Sequence, residues 1–98
     1  MLLHQPRKAA AIFEDGLASW PAGYQRDRGL NLARLAVAHA ASREPERACE
    51  VAREAVAITH DTWSARAVGE LRRLPVLLEP WGTSAPVAEL EESLAALP

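Results

Sequence analysis

Apolar residues recur at intervals of three and four in five separate stretches of this chain, and no segment sustains the period-two alternation of a strand. That spacing confines the chain to helices that bury one stripe each against other helices. The first stretch runs from about Pro6 to Ser19 and carries Ala9, Ile12, Phe13, Leu17 and Trp20 on one face, with Pro21 and Gly23 as its stop. The second runs from about Arg26 to Ala41, with Asp27 as an N-cap or first-turn acid. Leu32, Leu35, Ala36 and His39 form its main face, and Leu30, Val37 and Ala38 extend the apolar surface round the helix. Such breadth predicts neighbours on more than one side.

After the connection Ser42-Arg43-Glu44, Pro45 opens a third helix to about Thr59. Ala48, Ala52 and Ala55 make a stripe of small residues along it, which permits close approach of a second helix, and Val51, Val56 and Ile58 add bulk beside the stripe. A fourth helix is predicted from a cap at Asp61 or Thr62 to about Leu74, with Val68, Leu71, Leu74 and Leu78 as its face and Pro75 as the residue that kinks or ends it. Glu79 to Thr83 reads as a loop. Ser84 then caps a fifth helix with Pro86 in its first turn and Val87, Leu90, Leu94 and Leu97 as its stripe. Alanine, at 20 of 98 residues, and leucine, at 13, favour helix, while the chain has one Phe and one Tyr. A chain of this length has material for a single modest core, because it buries about two-thirds of its unfolded surface.

Several classes of protein are excluded at this level. The longest unbroken apolar run is Ala9 to Phe13, against the roughly 20 residues of a membrane-spanning helix. The first residues lack the apolar core of a signal peptide, so a soluble, cytoplasmic chain is expected, with no membrane partner. One cysteine, Cys49, makes neither an internal disulfide nor a metal cluster. A net charge of -2 argues against direct nucleic-acid binding by this segment.

The segment from about Gly29 to Thr62 resembles a tetratricopeptide (TPR) repeat, a 34-residue pair of antiparallel helices. The positions that carry the resemblance are Leu32, Leu35, Ala36, His39, Ala48, Ala52, Ala55 and His60. Histidine stands for an aromatic at position 39, alanine for the second aromatic at 52, and histidine for proline at 60. The first stretch looks like the second half of a preceding repeat, with Ala9, Phe13, Gly16 and Pro21 at the matching positions, and the last two stretches look like a degenerate terminal pair.

A narrower similarity lies in Glu44-Pro45-Glu46-Arg47-Ala48, Glu54-Ala55, Ser64-Ala65-Arg66 and Glu70-Leu71, which look like the C-terminal TPR-like region of bacterial helix-turn-helix transcriptional regulators. The resemblance implies an all-α, antiparallel helix-pair array of about five helices. It implies one TPR-like domain over residues 1–98, the C-terminal remnant or a truncated relative of such a regulator. It also implies a module that binds a protein or peptide rather than an enzyme, with no cofactor. The groove positions it implies are Leu30, Ala33, Arg34, Val37 and Ala40, whose character favours an apolar helix over a charged terminus.

Two other classes are weighed beside it. A homodimer would cover Ile12, Phe13 and Leu17. A small enzyme would have to rest on His60-Asp61, for which a helix boundary is the simpler account. His4, His39 and His60 share no ligand spacing, so no metal is expected. Cys49 on an alanine-rich helix reads as a small filler. Most arginines interleave with glutamates and read as a mixed-charge solvated surface, with Arg72-Arg73 the one unneutralised pair. Glu89, Glu91 and Glu92 read as a solvated face. Trp20, Trp63 and Trp81 sit near helix ends, where packing is expected and an exposed ring would mark a binding hot spot.

Overall fold

The computed structural model describes residues 25–97, so the first predicted helix with Ile12, Phe13, Leu17 and Trp20, and His4 before it, lies outside the described residues. Those described are all-α, with no strand among them: α1 (Gln25–Ala41), α2 (Pro45–Thr62), α3 (Ala65–Leu71), a four-residue α4 (Leu74–Leu77), a 3-10 turn (Glu79–Trp81) and α5 (Ala85–Ala95). The number of helices is close to the five expected.

Helix α1 begins one residue before its expected start and ends where expected. From Gly29 to Ala40 every residue is buried except Asn31 and Arg34. The breadth of apolar surface read from its sequence is therefore met by neighbours, and α2, α3 and α4 all pack against it. The turn to α2 is closed by two hydrogen bonds, Arg43 N–H to Ala40 O at 3.1 Å and Glu44 N–H to His39 O at 3.0 Å. This closure places Arg43 in the left-handed region at φ 63°, a position that glycine takes most cheaply.

Helices α1 and α2 run antiparallel. Arg28 near the start of α1 pairs with Glu54, and Arg26 Nη1 donates to Thr62 O at 3.1 Å, while the short turn joins the opposite ends. The small-residue stripe does what its spacing predicts: Ala48, Ala52 and Ala55 are fully buried at this contact. Gly29 makes the approach closer still, since a Cβ built there would lie 2.7 Å from Ile58 Cγ2.

Three boundaries differ from expectation. Helix α2 continues to Thr62 rather than stopping near Thr59. No proline or glycine interrupts it, and Trp63 closes it by taking a left-handed conformation (φ 56°) and donating its N–H to Thr59 O at 2.8 Å. The cap of α3 is accordingly Ser64, not Asp61 or Thr62; its Oγ accepts from Ala67 N–H at 3.3 Å. Helix α3 ends at Leu71, and Pro75 enters the first turn of α4, where its missing N–H is not needed. Ser84 does occupy the N-cap of α5 with extended backbone, but its side chain makes no capping bond.

One contiguous core joins all of these elements. Leu32, Ala33, Ala36, Val37 and Ala40 of α1 meet Ala48, Cys49, Ala52 and Ala55 of α2, Leu71, Leu74 and Leu78, and the α5 stripe of Val87, Leu90 and Leu94, with Leu97 after it. Each fully buried leucine contributes about 1.5–3 kcal/mol relative to exposure. Helix α3 packs chiefly on α1, and α5 packs on α2.

Candidate functional site

The five positions implied as a groove do not form an open one. Leu30, Ala33, Val37 and Ala40 are buried, the last three in the same core as Leu71, Leu74 and Leu78. Helix α3 ends early, Pro75 starts a new turn, and both α3 and α4 pack against α1. Only Arg34 of the five reaches solvent, with its side chain 36% exposed and its Nε 4.0 Å from a Glu70 carboxylate oxygen. Of the residues matched to the repeat, Leu32, Leu35, Ala36, His39, Ala48, Ala52 and Ala55 are buried, and His60 is exposed.

His39 is 2% exposed, in keeping with a packing role, and its Nδ1 lies 3.5 Å from Glu44 Oε2 at the α1–α2 turn. His60 and Asp61 are both exposed on the last turn of α2, with Nδ1 and Oδ1 3.9 Å apart. Among the described residues no group of three or more His, Cys, Asp or Glu side chains is placed to hold a metal ion. Cys49 is buried in the core. Burial pushes its thiol above the ordinary range, against a smaller opposing pull from the Arg53 charge. A protonated, enclosed thiol is a poor nucleophile.

The charged surface is mixed, as the sequence pattern predicts. Arg28 pairs with Glu54, Arg47 Nη1 lies 3.9 Å from Glu44, and Glu70 sits between Arg34 and Arg73. The last of these corrects the reading of Arg72-Arg73 as unneutralised: the turn after α3 brings Arg73 Nη1 to 3.2 Å from Glu70 Oε2. Exposed pairs of this kind contribute about 0.2–1 kcal/mol each. Glu89, Glu91 and Glu92 face solvent on α5.

Two large apolar side chains stand out of this surface. Trp63 is 66% exposed and Val76 is 73% exposed. The other tryptophan among the described residues, Trp81, is half-buried against the core. Trp63 is unusual in two independent respects. Its ring stays in water, which forgoes the gain from burying a large aromatic. Its backbone also adopts a left-handed conformation that costs an L-residue about 1–2 kcal/mol and that glycine takes at no steric cost. Its position near a helix end was legible in the sequence; its exposure and backbone conformation were not. Val76 escaped sequence reasoning because its neighbours Leu74, Leu77 and Leu78 suggest a uniformly buried run.

No helix of the described residues is long and apolar enough to cross a membrane. No family model, curated protein or solved structure matches this chain.

Proposed function

We propose that this chain is a protein-interaction module, the TPR-like part of a bacterial transcriptional regulator acting in the cytoplasm, and that it engages a protein or peptide through an apolar anchor centred on Trp63. The antiparallel α1–α2 pair, followed by α3 on α1 and α5 on α2, supports the helix-pair array. The observation that carries the functional reading is Trp63, an exposed tryptophan on a left-handed backbone. Tryptophan is among the residue types most enriched at binding hot spots. Ala33, Val37 and Ala40 of α1 are already buried in the chain's own core, so the anchor lies at the end of the helix pair and not along α1.

The test is selection of peptides from a random library on the whole chain, followed by affinity measurement on Trp63→Ala. Truncation of a hot spot costs at least about 2 kcal/mol, or roughly 30-fold in Kd. Selected peptides should carry apolar anchors and lose that much affinity for Trp63→Ala, whose helical circular dichroism stays that of the parent. Peptides that bind both proteins equally would overturn the assignment of Trp63. Sedimentation equilibrium on the same samples separates the self-association reading: a dimer dissolved by Trp63→Ala makes a second copy the partner.

A further inference from the structure

We draw no further inference here: the strongest candidate, the open cleft of about 140 Å³ where the N-terminal ends of α2 and α5 meet around Pro45, Glu46, Trp81, Ser84 and Pro86, rests on two helix N-termini beside a half-buried tryptophan, and nothing in the structure shows what covers it.

Discussion

Replacing Gly29 with alanine sets two known effects against each other. In a helix interior alanine is favoured over glycine by about 0.5–1 kcal/mol, so propensity alone predicts stabilisation. The structure reverses the sign. The new Cβ would lie 2.7 Å from Ile58 Cγ2 and 3.4 Å from Ile58 Cβ. Isoleucine is branched at that carbon and has one strongly preferred rotamer in a helix, so the methyl group has little freedom to swing aside. Relief therefore requires α1 and α2 to separate, and the Arg28–Glu54 pair and the Arg26 to Thr62 O bond span the same crossing. Overpacking of this type costs typically about 1–3 kcal/mol. The expected net loss is about 1–2 kcal/mol, or a fall in Tm of roughly 4–16 °C for a domain of this size.

Gly69→Ala is the control, because Gly69 is exposed within α3 and a Cβ there meets nothing within 4 Å. It should stabilise by about 0.5–1 kcal/mol. Urea unfolding followed by circular dichroism at equal slope measures both. The double variant Gly29→Ala with Ile58→Ala removes the clashing methyl and should show a favourable coupling of about 1 kcal/mol. Stabilisation by Gly29→Ala equal to that of Gly69→Ala, or strict additivity in the double variant, would refute the close approach of α1 and α2.

Three further outcomes are expected. Arg43→Gly should raise stability by about 0.5–1 kcal/mol, because Arg43 holds φ 63° at an exposed turn; a loss in the same urea titration would mean that its side chain contributes more than its backbone costs. Ser64→Ala should cost about 1 kcal/mol through loss of the bond from Ala67 N–H, whereas Ser84→Ala should cost only a few tenths, since Ser84 makes no side-chain cap; equal losses on thermal unfolding would contradict the difference between these two caps. Cys49 is raised in the folded chain, so its contribution to stability is complete below the ordinary thiol range. That contribution is lost as pH rises through the raised value, because the unfolded thiol ionises first. Stability measured from about pH 7 to about pH 10 should fall more steeply for the parent than for Cys49→Ala, and parallel curves would show that Cys49 is not desolvated.

Much of this architecture can be read without coordinates where it depends on local chemistry. The 3,4 spacing predicts α1 to within one residue, and Pro45 and Pro86 mark where α2 and α5 begin. The alanine stripe identifies the buried side of α2, because a run of small residues has one obvious use between two helices. The end of α2 escapes the same logic, since neither proline nor glycine marks it and a tryptophan performs the turn. The candidate site is less legible. Trp63 and Trp81 both read as tryptophans near helix ends, yet one stands in solvent and the other rests on the core.

By itself, the order of residues determined the helical class, the antiparallel first pair and most of the buried set, because periodicity, caps and short connections act over a few residues. Only the tertiary structure decided that Leu71, Leu74 and Leu78 join Ala33, Val37 and Ala40 in one core, that Gly29 admits Ile58, and that Trp63 is left outside. Those outcomes depend on which helix comes to rest on which face. That choice is made by the fit of distant side chains, to which local periodicity is blind.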